Sequence, residues 1–120
     1  MRIWPLSALP EIAPGDDLGA MLAERGAAEG VRPGDILIVA HKVVSKAEGR
    51  VVVLSDVRPG PAALRLAQET GKSAALCELI LSESRRILRR RRGLLICETL
   101  HGFVCANAGI DSSNAPEGCV

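Results

Sequence analysis

Five consecutive apolar residues, Ile36-Leu37-Ile38-Val39-Ala40, run directly into a polar stretch, His41-Lys42-Val43-Val44-Ser45-Lys46-Ala47-Glu48-Gly49-Arg50. An unbroken run of that length predicts a strand buried on both faces; periodicity alone leaves a short buried helix open. A buried strand that empties into hydrogen-bonding groups is a common way to build a site, because the strand fixes where the groups point. If the polar stretch turns helical, Lys42 and Lys46 fall four apart on one face, with His41 and Ser45 beside them. Two like charges at that spacing cost roughly 0.2–0.5 kcal/mol. An anion bound between them reverses the sign, and phosphate suits a lysine ammonium and a serine hydroxyl, which both donate to its oxygens. The alternative is a solvated helix start in which Glu48 balances the lysines.

A chain of 120 residues fits a single domain and buries roughly two-thirds of its unfolded surface without staples. The apolar content comes from Ala, Val, Leu and Ile. Trp4 and Phe103 are the only aromatic residues, with no tyrosine, which argues against stacking platforms for single-stranded nucleic acid. A net charge of +1 gives no basic field for DNA or RNA. No apolar run approaches membrane-spanning length, and Met1-Arg2-Ile3-Trp4-Pro5 lacks the apolar core of a signal peptide. The expectation is a cytoplasmic protein with no nucleic-acid or membrane partner. Cys77, Cys97, Cys105 and Cys119 form no CxxC pair and no zinc-like spacing. Cys97 and Cys105 lie in apolar runs and read as small hydrophobes.

In chain order, residues 2–7 read as a short strand confined to an edge by Pro5. Leu9-Pro10-Glu11-Ile12 is a turn-like connector. Asp16 or Asp17 caps a helix over about 17–28, which Gly30 closes. Arg32-Pro33-Gly34-Asp35 is turn chemistry. Residues 51–54 predict a second buried strand, and a helix over about 61–70 stops at Gly71. A longer helix is predicted over about 74–91, with Leu76, Leu79, Ile80, Ile87 and Leu88 on its buried side. Arg85, Arg86, Arg89, Arg90, Arg91 and Arg92 would then complement the macrodipole at its C-terminus or dock an acidic substrate. Leu94-Leu95-Ile96-Cys97 is a third apolar strand. Short connections between alternating elements predict an α+β fold, a mixed sheet with packed helices.

Ala106-Asn107-Ala108-Gly109-Ile110-Asp111-Ser112-Ser113-Asn114 is a second polar constellation. Its small residues let backbone approach a ligand closely. Asp111, a carboxylate among amides and hydroxyls, suits a hard cation such as magnesium or manganese. Asn114 could orient a base or a phosphate. Alternatively, Asp111 and Asn114 satisfy local backbone in an Asx-turn.

Residues 34–50, Gly-Asp-Ile-Leu-Ile-Val-Ala-His-Lys-Val-Val-Ser-Lys-Ala-Glu-Gly-Arg, together with 101–114, His-Gly-Phe-Val-Cys-Ala-Asn-Ala-Gly-Ile-Asp-Ser-Ser-Asn, resemble the coenzyme F420 gamma-glutamyl ligase family. Weaker agreement lies in Leu9-Pro10-Glu11-Ile12, in Pro14-Gly15-Asp16-Asp17-Leu18, and in Glu78-Leu79-Ile80-Leu81 with Glu83-Ser84. The resemblance implies a GTP-dependent ligase that joins L-glutamate to the coenzyme F420 precursor, F420-0, with magnesium or manganese and help from potassium, as a homodimer. It implies GTP contacts at Leu9, Pro10, Glu11, Ile12, His41, Lys42, Lys46 and Asn114. Asp111 is implied as a metal ligand, and Lys46 and Asp111 as the catalytic pair. His41 and Lys42 stand where the family varies. The family's chain continues for about as long again, with further acidic ligands. Residues 1–120 therefore read as its N-terminal portion, inactive alone, with strand 94–97 and segment 103–105 left uncovered. The alternative is a non-catalytic nucleotide-binding half-domain that needs a second chain.

Overall fold

Asp17 starts the first helix by accepting the Ala20 N–H at 2.9 Å, which satisfies one of the donors a helix N-terminus leaves open. The computed structural model describes residues 2–113 and 115–120. They group into two units, residues 1–51 and 52–120.

In the first unit, helix α1 (Leu18–Ala28) ends where the Val31 N–H donates to Gly26 O at 2.9 Å, with Gly30 in the left-handed region at φ 78°. Arg25 Nε donates to Ser7 O at 2.6 Å, and Ser7 N–H donates to Glu29 Oε1 at 2.7 Å. These bonds tie the segment before Leu9 to the last turns of α1. Helix α2 (His41–Ala47) forms over the polar stretch, and Gly15 N–H donates to Ala47 O at 2.8 Å. Loop 9–15 is thus anchored to α1 at one end and α2 at the other. The turn at 32–35 also forms, with Asp35 N–H donating to Arg32 O.

The expected strands at 2–7 and 36–40 do not form. Ile36 and Ile38 are 89% and 88% exposed and Leu37 47%. Apolar length alone does not make a strand; a ladder partner is required, and the described residues of this unit contain no strand.

In the second unit, α3 (Pro61–Thr70) starts on Pro61 and ends at Gly71, φ 73°, the proline-first, glycine-last asymmetry of helices. Helix α4 (Ala74–Ser82) is capped by Ser73, which accepts the Leu76 N–H. The predicted helix 74–91 is corrected here. The helix stops at Ser82, Ser84 Oγ donates to Ile80 O at 2.5 Å, and Ser84–Arg91 forms strand β1. β1 pairs antiparallel with β2 (Leu94–Thr99), which pairs antiparallel with β3 (Val104–Ala106). Like-charged side chains that would crowd one helix turn are instead spread along an edge strand. Glu98 pairs with Arg86 at 2.6 Å and Arg85 at 3.6 Å, and Glu69 with Arg90 at 2.9 Å. The macrodipole role predicted for these arginines therefore does not hold.

On β2, Leu95, Cys97 and Thr99 are buried and alternate with half-buried neighbours. Leu95 and Cys97 join Ala63, Leu66, Cys77 and Ile80 in one core. Burial raises the Cys77 thiol pKa above its ordinary value. Strand 94–97 is therefore covered by this chain's own helices, although Phe103 and Val104 beyond it are 70% and 62% exposed. The strand predicted at 51–54 reduces to a single antiparallel bridge, Val53 to Cys119, flanked by reciprocal backbone bonds between Val52 and Val120. The α+β class holds, with a sheet that is antiparallel throughout the described residues rather than mixed.

Candidate functional site

Loop 9–15 and helix α2 bring two of the predicted residues into contact. Lys46 Nζ donates to Glu11 Oε1 at 2.6 Å, linking positions 35 apart in sequence. The hydrogen bond from Lys46, and then its charge, hold the Glu11 carboxyl below the ordinary glutamate value. Glu11 is 84% exposed and the Lys46 side chain 28%. Lys46 is therefore positioned from both sides yet paired with a solvated carboxylate. Exposed pairs of this kind are weak and salt-sensitive, so the ammonium is open to exchange onto a stronger anion.

His41 and Lys42 occupy the first turn of α2, one turn before Lys46. Ser45 Oγ donates to the His41 carbonyl oxygen at 3.2 Å, so the hydroxyl expected to meet phosphate bonds its own helix. Leu9 and Ile12 are half-buried and Pro10 is exposed. Ala8, just before Leu9, has φ 53°, an uncommon conformation for a residue with a Cβ.

Asp111 belongs to the second unit. It follows β3 and a left-handed turn in which Asn107, Ala108 and Gly109 have φ of 53°, 54° and 82°. Such strain persists only where the surroundings over-determine it. Ala108 packs against the core, and a Cβ on Gly109 would stand 3.9 Å from Cys105 Sγ. Of the small residues read as admitting a ligand, Ala108 thus also serves packing. Asp111 accepts the Ser113 N–H at 3.1 Å through one oxygen, and its other oxygen bonds the Ser113 hydroxyl. The local turn weighed for this carboxylate is therefore present. Ser113 was given no role from sequence, although an Asp followed two residues on by Ser is the signal for such a turn. Asn114 lies outside the described residues.

Among the described residues, no three His, Cys, Asp or Glu side chains gather where they could hold a metal. A resident metal cage does not fit them. A cation that keeps waters and takes phosphate oxygens needs only one or two carboxylates, and Asp111 suits that lesser role.

A model of the F420-0:Gamma-glutamyl ligase family matches residues 7–120. The chain belongs to this family. It is 45% identical over 120 residues to the coenzyme F420:L-glutamate ligase of Methanopyrus kandleri, covering 100% of this chain and 46% of that protein. It is 43% identical to the ligase of the same name from Methanothermobacter thermautotrophicus, covering 94% of this chain and 46% of that protein. With the ligase of Archaeoglobus fulgidus the identity is 39%, over 98% of this chain and 46% of that protein. The chain spans about half the length of the curated relatives it matches. No helix among the described residues is long and apolar enough to cross a membrane.

Proposed function

We propose that these residues form the nucleotide-handling part of a GTP-dependent ligase that adds L-glutamate to F420-0. The observation that carries this reading is the Lys46–Glu11 pair. It joins the two stretches of the first unit in which the family resemblance expects GTP, and it offers an ammonium whose present partner is solvated.

Joining a carboxylate to an amine at neutral pH requires activation. A carboxylate oxygen of F420-0 attacks the γ-phosphorus of GTP, the bond to GDP breaks, and an acyl phosphate forms. The glutamate amine then attacks the acyl carbon, phosphate leaves, and the amine gives up a proton. Lys46 donates to phosphate oxygens, where charge spread over the transferred group is stabilised by positioning and electrostatics. His41 and Lys42 add nucleotide contacts from the same helix, Leu9, Pro10 and Ile12 line the nucleotide, and Glu11, expected among those contacts, instead holds Lys46 until phosphate replaces it. Asp111 would supply one ligand to a magnesium or manganese ion, which would neutralise phosphate charge; potassium would assist. The setting is cytoplasmic and the assembly a homodimer.

The absence of a gathered acidic cluster among the described residues favours a second element in the reading. Residues 1–120 bind nucleotide weakly and do not turn over alone, and the polypeptide that relatives carry outside the match supplies further ligands. The test is product formation followed by mass spectrometry with GTP, manganese, L-glutamate and F420-0. Glutamylated product is expected when the rest of a relative is supplied in trans or by fusion, and none from this chain alone. Multiple turnover by the chain alone would overturn the half-site reading. No product in either arm would overturn the ligase reading.

A further inference from the structure

Among the described residues, the peptide groups of 36–39 make no hydrogen bond to any other residue. Ile36 and Ile38, two apart and so on one side of an extended chain, are almost fully exposed. All four residues of 36–39 border a groove of about 720 Å³ in the first unit, whose walls include Ile3, Trp4, Leu22 and Val43.

Unpaired apolar segments of this kind template pairing with other chains, and folded proteins blunt them with lysine, arginine or proline. Strand β1 is blunted in that way, with arginine at 85, 86 and 89–91. Segment 36–39 carries no charge and no proline. It is β-branched-rich, which suits a pleated ladder, and it lacks only the ladder.

We propose that segment 36–39 is a docking strand, and that its occupant is a strand from the polypeptide that the curated relatives carry outside the region matched here. More than half of each of those three relatives lies outside the match, which is ample to supply it. Within this chain, 94–99 and 104–106 pair within one sheet and 52–54 is bonded to 118–120, while residues 2–6 border the same groove without pairing as a strand. The incoming strand adds main-chain hydrogen bonds along 36–39, covers Ile36 and Ile38, and sets alternate side chains into the groove, as in β-strand addition.

The proposal rests on family membership and not on the roles given to Lys46 and Asp111. Its test is binding and exchange rather than turnover. The part of the Methanopyrus kandleri ligase outside the match is added to this chain, and amide hydrogen exchange is followed by mass spectrometry. Exchange at 36–39 should slow at least about tenfold. The double variant Ile36→Asp/Ile38→Asp should bind that polypeptide at least about thirtyfold more weakly. Because both side chains are already in water, the variant should keep the wild-type circular dichroism spectrum. The same exchange measurement on a single-chain fusion of the two pieces covers the case in which the added piece does not fold alone. Unchanged exchange at 36–39 in the fusion, or equal binding by the double variant, overturns the proposal. Concentration-dependent protection of 36–39 in this chain by itself overturns the choice of occupant. Docking without ligation would leave the proposal standing while defeating the catalytic reading.

Discussion

Ile80 and Ile38 are the same side chain in opposite environments, and truncating each to alanine gives a direct reading of where the core lies. Ile80 on α4 is 0% exposed and packs with Leu66, Cys77, Leu95 and Cys97. Ile80→Ala removes three buried carbons' worth of transfer energy and leaves a cavity that the surrounding residues only partly close, a cost of about 2–5 kcal/mol. A unit of roughly 70 residues has a total stability of about 3–10 kcal/mol, so this one substitution removes a large share. With an m value near 1 kcal/mol per M urea, the lower end of that loss moves the unfolding midpoint by about 2 M. Ile38→Ala deletes the same atoms at a position 88% exposed and should change stability by no more than about 0.5 kcal/mol. The assay is urea unfolding followed by circular dichroism for the wild type and both variants. Equal losses would refute the reasoning, because they would mean that 36–40 is buried after all.

Three further expectations are compact. The Glu11 carboxyl, followed by NMR, should titrate below the ordinary glutamate range and return towards it in Lys46→Ala. Because its folded pKa is depressed, the contribution of this pair is present at neutral pH and is lost as pH falls through that lowered value. Gly71→Ala should cost about 1 kcal/mol in urea unfolding, since φ there is 73° and the new Cβ would meet nothing closer than Arg92 Cγ at 3.9 Å. In a ligation-competent assembly, Asp111→Asn should abolish manganese-dependent activity while metal-free GTP binding stays unchanged; an unaltered manganese titration would remove Asp111 from the ligand set.

Local signals carried the helices that could be read. Asp17, Pro61, Ser73 and Gly71 act within one turn, and each stands where its helix begins or ends. The elements misread were those decided by distant partners. Ile87 and Leu88 fit a helical period equally well, but the hairpin with 94–99 draws them into β1. Ile36–Ala40 has the composition of a buried strand and, among the described residues, no strand beside it. The site shows the same division. That 41–47 could be helical was legible from spacing, whereas the meeting of Glu11 with Lys46 depends on how loop 9–15 is tied to α1 and α2. Asp111 and Ser113 are two residues apart, and the local turn at Asp111 was legible from sequence as one of two readings, because its partner lies two residues on.

The most direct test of the account is calorimetric titration of GTP into the protein, wild type against Lys46→Ala, with Glu11→Gln as the companion. Losing a charge-assisted hydrogen bond of roughly 1.5–3 kcal/mol predicts an affinity about ten- to a hundredfold lower for Lys46→Ala. Glu11→Gln should bind at least as well as wild type, because it frees the ammonium. Equal affinities for wild type and Lys46→Ala would contradict the claim that this helix meets the nucleotide through Lys46.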